Sequence, residues 1–241
     1  MLEINKAYCM DALELLKLIP NNSVDLILTD PPYNTGMKKS NGKARLCHFF
    51  NDNLSKENYQ NLVITSCNEF YRVLKENKAI YIYINWRNMG LWLTELEKAG
   101  FLMKNCIVWN KIIHGLNYQN YANTYELILF GVKGSFFPNN KPKFYKDVWD
   151  IKRKVNTENK ETHHETEKLL KIVQLPILHA SNKGDIVLDC FIGSGTTAVA
   201  CKQLGRNFIG CDNKQEYIDL TNKRLSQQIL KLEDNENGKN T

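Results

Sequence analysis

Short apolar runs that end in acidic residues alternate along the chain with stretches whose apolar positions recur every three or four residues. Val24–Thr29 leads into Asp30, and Ile186–Leu188 leads into Asp189. Both runs are brief, rich in β-branched residues or leucine, and followed by proline or glycine. That is the pattern of parallel strands buried on both faces. Ala79–Ile84, Cys106–Trp109, Leu127–Phe130 and Asn207–Cys211 read as further strands. Helices are predicted over 11–18, 56–75, 89–99, 196–204 and 214–232. The second of these gathers Leu62, Val63, Cys67, Phe70, Val73 and Leu74 on one broad face. Gly100 and Gly205 stand where a helix-ending glycine belongs. Pro176 interrupts an apolar helix predicted over 167–180 and should kink it.

Strands alternating with helices imply an α/β fold: a doubly wound, mostly parallel sheet with a crevice at the carboxyl ends of its strands. One domain over 1–230 is expected, followed by a flexible tail, 231–241, too polar to bury anything. The segment from about 131 to 160 breaks the alternation, being basic, rich in Asn and Lys, and weakly periodic.

Two strand ends carry unusual chemistry. Asp30-Pro31-Pro32-Tyr33 follows the first apolar run. Prolines fix φ and lack an N–H, so this turn is rigid and offers acceptors rather than donors. Asp30 adds a carboxylate and Tyr33 a flat face. Together they suit the two hydrogens of an amino group and the ring that bears it. Four residues alone are also compatible with plain turn chemistry. The second motif, Asp189-Cys190-Phe191-Ile192-Gly193-Ser194-Gly195-Thr196-Thr197, follows a strand and opens a helix. Its glycines allow a tight turn and close approach to a ligand, while Ser194, Thr196, Thr197 and the helix amides suit a carboxylate. It is neither GxGxxG nor a GK[ST] loop, which counts against dinucleotide and nucleoside-triphosphate sites. Asp212 ends the next strand, where an acidic residue grips ribose hydroxyls in such folds or simply caps the following helix.

Composition narrows the picture. The 241 residues carry a formal net charge of +6, which permits a polyanionic partner without demanding one. The charge is concentrated in two stretches. Lys38, Lys39, Lys43 and Arg45 form one; Lys141, Lys143, Lys146, Lys152, Arg153 and Lys154, mixed with Phe144, Tyr145 and Trp149, form the other. Solvated loops are the plain reading of such runs, and phosphate contact the functional one. The seven cysteines show no CxxC pair and the histidines no HExxH, so neither a metal site nor a disulfide framework is expected. No apolar run approaches the roughly 20 residues that span a membrane, and the start lacks a signal-peptide core. A cytoplasmic protein is expected.

With both motifs in place, the chain resembles the β-group of amino-DNA methyltransferases from about residue 3 to 230. In that family a DPPY tetrapeptide comes first and an FxGxG cofactor loop comes late, a circular permutation of the usual order. Residues 30–33 and Phe191–Gly195 match them. Asn22–Asp25, Trp109-Asn110-Lys111 with Glu126, Asp147-Val148-Trp149 and His164–Lys168 resemble further signatures. Glu165 and Cys190 stand where the family usually has proline. The resemblance implies a Rossmann-like, seven-stranded, circularly permuted fold and S-adenosyl-L-methionine as cofactor. It implies that Asp30 and the Pro31 carbonyl hold the target amino group, with Pro32 in the turn and Tyr33 stacking on a flipped base. Asp11, Ala12, Asp30, Thr166, Lys168, Phe191, Gly193, Ser194, Gly195, Thr196, Thr197 and Asp212 would meet the cofactor. Position alone makes Asp11 a helix cap.

Aspartate at position 30 is typical of adenine-N6 members and serine of cytosine-N4 members. The expected partner is double-stranded DNA, contacted by Lys38, Lys39, Lys43, Arg45, Lys141, Lys143 and Arg153. Target recognition would fall to short insertions at about 34–56 and 131–160. Their small size suggests a homodimer, and the family setting a restriction-modification system with a cognate restriction endonuclease. Cytosine-N4 methylation on the same scaffold, and a non-catalytic DNA-binding subunit, are the alternatives. No proline precedes a cysteine, which counts against a C5-cytosine enzyme.

Overall fold

The computed structural model describes residues 2–34, 54–112, 121–138, 145–152 and 169–237. In chain order these form β1 (Lys6–Cys9), α1 (Ala12–Leu18), β2 (Val24–Thr29), α2 (Lys56–Val73), β3 (Leu74–Ile84), α3 (Met89–Ala99), β4 (Leu102–Asn110) and β5 (Tyr125–Lys133). There follow β6 (Val148–Asp150), α4 (Leu170–Ala180), β7 (Ile186–Asp189), α5 (Thr196–Leu204), β8 (Asn207–Asp212) and α6 (Gln215–Asn237).

The strands make one sheet in the order β1-β8-β7-β2-β3-β5-β4-β6. Only β5 runs against its neighbours, β3 and β4; every other pairing is parallel. Side chains alternate across the sheet with period two. Ile27, Ile80, Ile82 and Leu188 pack with α1, α2 and α3 on one face. Leu26, Leu28, Tyr81, Tyr83 and Val187 pack with α4, α5 and Ile218 of α6 on the other. Helices on both faces explain why β2 is buried at all six positions and is mostly apolar, its buried Asp25 being paired with Lys75 and Lys78.

The doubly wound, mostly parallel architecture is therefore as expected, with corrections in detail. The described sheet has eight strands rather than seven. β1 and β6 span four and three residues, too short to show a period. The helix predicted to reach Lys75 stops at Val73, because Leu74 pairs with Val24 and tertiary pairing overrides helical spacing. The irregular stretch expected at 131–160 is narrower: β5 runs through Lys133, and β6 lies within it. α6 continues to Asn237, past the last apolar position of its pattern. Pro176 does sit inside α4. It cannot donate to the Ile172 carbonyl, and the Tyr83 hydroxyl of β3 donates there instead, at 3.1 Å.

At the opposite end from the strand tips, Lys133 is 4% exposed. Its ammonium donates to Asn22 Oδ1 (2.8 Å) and to the carbonyls of Tyr71 and Leu74 (both 2.9 Å), tying the α2–β3 junction to β5. Lys133→Met should cost about 2–3 kcal/mol, since buried carbonyls lose a charged donor. Urea denaturation checks it; a wild-type midpoint for the variant would show that the lysine is dispensable.

Candidate active site

The parallel strands β1, β8, β7, β2 and β3 end on one edge of the sheet, and an open cleft lies there. It is lined by Met10, Asp11 and Ala12 after β1, by Thr29, Asp30 and Pro32 at the tip of β2, and by Tyr83 of β3. Asp189 to Ser194, Thr196 and Thr197 supply the wall between β7 and α5, and Asp212, Asn213 and Tyr217 the end beyond β8. Residues 30 and 191–197 are far apart in sequence. They meet because β2 and β7 are hydrogen-bonded neighbours, with Leu26 opposite Val187 and Ile27 opposite Leu188.

A buried carboxylate joins the two motifs. Asp189 Oδ1 accepts from the Thr29 hydroxyl at 2.8 Å and from the Phe191 amide at 3.1 Å; Oδ2 accepts from the Thr197 hydroxyl at 2.6 Å. Thr29 immediately precedes Asp30, so one side chain spans the end of β2, the glycine loop and the first turn of α5. Burial pushes the Asp189 carboxyl up to about 6, with the nearby Asp30 acting in the same direction against the three hydrogen bonds.

The glycine loop is held from behind by α6. Gly195, at φ +81°, is the N-cap of α5, and a Cβ there would come within 2.5 Å of Thr221 Oγ1. Only glycine fits, on both conformational and steric grounds. The Thr221 hydroxyl donates to the Gly193 carbonyl at 3.1 Å. Arg224 donates to the Ser194 carbonyl at 2.6 Å and reaches the hydroxyls of Ser194 (3.2 Å) and Thr196 (3.3 Å).

Asp11 and Asp212 both accept from nearby backbone amides and both line the cleft. Asp11 Oδ1 accepts from the Leu13 amide at 2.8 Å and caps α1, while the residue lines the cleft. Asp212 Oδ1 accepts from the Lys214 amide at 3.0 Å, and its carboxylate also takes the Gly193 and Asn213 amides. Burial nonetheless leaves Asp212 above the ordinary carboxylate range.

At the other end, the Tyr33 hydroxyl donates to Asp30 Oδ1 at 2.8 Å. Burial first, then the negative charges of Asp30 and Glu126, push the Tyr33 phenol well up, so it remains a neutral donor. The Tyr33 carbonyl accepts from the Asn88 and Asn85 side-chain amides of the β3–α3 turn. Asn34, at φ +45°, bonds Leu54 in both directions (2.8 and 3.1 Å) and so pins the chain on either side of residues 35–53. Glu126 pairs with Lys111 at 2.7 Å across the ends of β4 and β5.

The structure thus brings Asp11, Ala12, Asp30, Pro32, Phe191, Gly193, Ser194, Thr196, Thr197 and Asp212 onto one cleft. Pro31 is buried beneath it, Tyr33 stands beside it, and Gly195 shapes it from behind. Thr166, Lys168, Lys38, Lys39, Lys43, Arg45, Lys141, Lys143 and Arg153 lie outside the described residues. Sequence reasoning missed Thr29, Tyr83, Asn213 and Tyr217 on the lining, and Asn88, Thr221 and Arg224 behind it. Thr29 and Asn213 adjoin a motif residue and Tyr83 and Asn88 lie at or just past a strand tip, whereas Tyr217, Thr221 and Arg224 lie inside α6 and had no such signal. Among the described residues no cluster of His, Cys, Asp and Glu could hold a metal ion.

The donor set suits a cofactor carrying a ribose, an aromatic base and an amino-acid group. Asp212 offers carboxylate acceptance to a diol, Phe191 and Ala12 an apolar seat for a ring, and the α5 N-terminus donors for a carboxylate.

A pH prediction follows from Asp189. Its native pKa lies above the ordinary 3.8, so the folded state binds the proton more tightly than the unfolded chain. That contribution is complete below about pH 4 and is lost as pH rises through about 6. Between pH 4 and 7 the wild type should lose about 2–3 kcal/mol relative to Asp189→Asn. Urea denaturation across that range reads it. A constant offset reflects altered hydrogen bonds only; strictly parallel curves would remove the assigned shift.

Comparison with known proteins gives the family. A family model described as DNA methylase, N6_N4_Mtase, matches residues 24–223. The Type II methyltransferase M1.MboII of Moraxella bovis is 31% identical over 94% of this chain and 98% of its own length. The M1.HpyAVI–SAM complex superposes with a TM-score of 0.70 at 30% identity, covering 91% of this chain and 98% of that one. PvuII DNA methyltransferase, cytosine-N4-specific, gives 0.73 at 17% identity over 90% and 85%, a likeness of fold. The chain belongs to the DNA methylase family, and its cofactor is S-adenosyl-L-methionine.

Proposed function

We propose that the protein methylates the N6 amino group of an adenine extruded from double-stranded DNA. The observation that carries this reading is Asp30. It stands at the tip of β2 on the cleft shared with the glycine loop, with Tyr33 bonded to it. An adenine amino nitrogen is a poor nucleophile because its lone pair is delocalised into the ring. Asp30 and the Pro31 carbonyl accept its two N–H bonds, favour a pyramidal nitrogen and stabilise the positive charge that develops there. Tyr33 stacks on the extruded ring. Bound in the cleft, S-adenosylmethionine supplies an electrophilic methyl group on sulfur. As the nitrogen lone pair forms the new N–C bond, the sulfur–methyl bond would break with its electron pair returning to sulfur, leaving a neutral thioether, and the proton that leaves nitrogen passes toward the Asp30 carboxylate. Much of the acceleration comes from holding nitrogen and methyl in line.

Asp11, Ala12, Phe191, Gly193, Ser194, Gly195, Thr196, Thr197 and Asp212 hold the cofactor in this reading, with Thr166 and Lys168 at its methionine end. The order of motifs, 30–33 before 191–195, is that of the β-group. Aspartate rather than serine at position 30 favours adenine over cytosine. Lys38, Lys39, Lys43, Arg45, Lys141, Lys143 and Arg153 contact phosphates. The Type II names of relatives favour a cytoplasmic role in a restriction-modification system, beside a cognate endonuclease and with the methyltransferase acting as a homodimer.

Unmethylated DNA treated with protein and S-adenosylmethionine, then digested to nucleosides, should yield N6-methyladenine by mass spectrometry. N4-methylcytosine in its place would overturn the adenine assignment. Asp30→Ala should lower turnover by about a thousandfold while calorimetric cofactor binding stays within a few-fold; full turnover would remove Asp30 from the mechanism. Replacing Lys38, Lys39 and Lys43 by Ala should weaken DNA binding and flatten its salt dependence by about 0.9 for each phosphate no longer neutralised. An unchanged slope would show that stretch to be merely solvated.

A further inference from the structure

The turn joining β3 to α3 has two kinds of side chain. Asn85 and Asn88 face inward and hold the Tyr33 carbonyl. Trp86 and Arg87 face solvent, and Trp86 is 57% exposed. The other tryptophans are used differently: Trp92 and Trp109 are buried, and Trp149 packs against the α4 side of the sheet. Trp86 packs against neither core cluster. A tight turn needs no aromatic residue, and an indole left in water forgoes the burial that its siblings obtain. The Arg87 guanidinium lies 5.4 Å from the Trp86 ring centroid, so a flat apolar face and a positive charge are presented together.

We propose that Trp86 and Arg87 form a docking lip for DNA beside the base slot. Trp86 stacks on a base of the opened duplex next to the extruded nucleotide, and Arg87 binds a phosphate beside it. This rests on reading residues 30–33 as a base slot. Three observations carry it. The indole is exposed and, among the described residues, belongs to neither core cluster. Its partner is cationic, on a chain of net charge +6. The turn is tied by two amides to the residue assigned to stack on the target base, so whatever Trp86 touches is held at a set distance from the slot. Aromatic stacking is the means by which proteins hold unpaired bases without reading sequence.

The full chain, wild type and variants, would be titrated with a short synthetic duplex carrying one unpaired adenine while tryptophan emission is followed. Methyl transfer to unmethylated plasmid DNA would be measured in parallel. The duplex should quench wild-type emission. Trp86→Ala should lose most of that quench and raise both Kd and the KM for DNA by about tenfold, within the range expected for one stacked base. Its KM for S-adenosylmethionine and its unfolding midpoint should stay at wild-type values. Trp86→Phe should restore affinity without the quench, and Arg87→Ala should reduce the salt slope by about one. Wild-type KM for DNA in Trp86→Ala, or a Trp86→Phe as weak as Trp86→Ala, overturns the lip and leaves the slot standing. A wild-type protein that shows Trp86-dependent quenching but transfers methyl to no DNA base overturns the slot and leaves the lip.

Discussion

Two threonine hydroxyls and one amide converge on the carboxylate of Asp189, buried where β2 and β7 end side by side. A charged carboxylate is costly to bury, and here three donors drawn from different pieces of chain offset part of that cost. Each donor is thereby fixed. Thr29 sets the direction in which the chain enters Asp30, the Phe191 amide sets the start of the glycine loop, and Thr197 sets the first turn of α5. Remove the parallel pairing of β2 with β7 and the two motifs no longer share a cleft. The chemistry assigned to the protein depends on that adjacency more than on any single catalytic group.

The surroundings are built to keep this junction still. On the glycine-loop side, α6 reaches over the loop through Thr221 and Arg224, satisfying carbonyls that the tight turn leaves without helical partners. On the Asp30 side, the β3–α3 turn holds Tyr33, and the Asn34–Leu54 pair closes the chain behind it. Tyr83 serves both layers: it lines the cleft and donates to the carbonyl that Pro176 leaves open in α4. The open carbonyl in α4, one residue from the cleft-lining Val173, is thus satisfied by another residue of the cleft.

Much of this was legible from residue patterns. Buried parallel strands announce themselves as apolar runs, so β2 and β7 and the acidic residues at their tips stood out. Gly193 and Gly195 were readable because a tight loop opening a helix needs them, and Gly195 proves to have no room for a side chain. What escaped is set by tertiary contact. β1 and β6 are too brief for a period, Leu74 leaves its helix to pair with Val24, and Arg224 is an ordinary helix arginine in the sequence until α6 is docked. Asp11 and Asp212 show a subtler limit. Asp11 caps α1 while it lines the cleft, and Asp212 lines the cleft while it closes the turn before α6, so a local bond to a backbone amide does not remove a carboxylate from the cleft.

A crystal structure with S-adenosylmethionine and a duplex bearing an extrudable adenine tests the arrangement most directly. The ribose should lie on Asp212, the adenosine ring against Phe191, and the sulfonium methyl should point along the cleft at the amino nitrogen held by Asp30. A cofactor bound in that cleft with its methyl directed away from Asp30, or an extruded base seated elsewhere, would contradict the account.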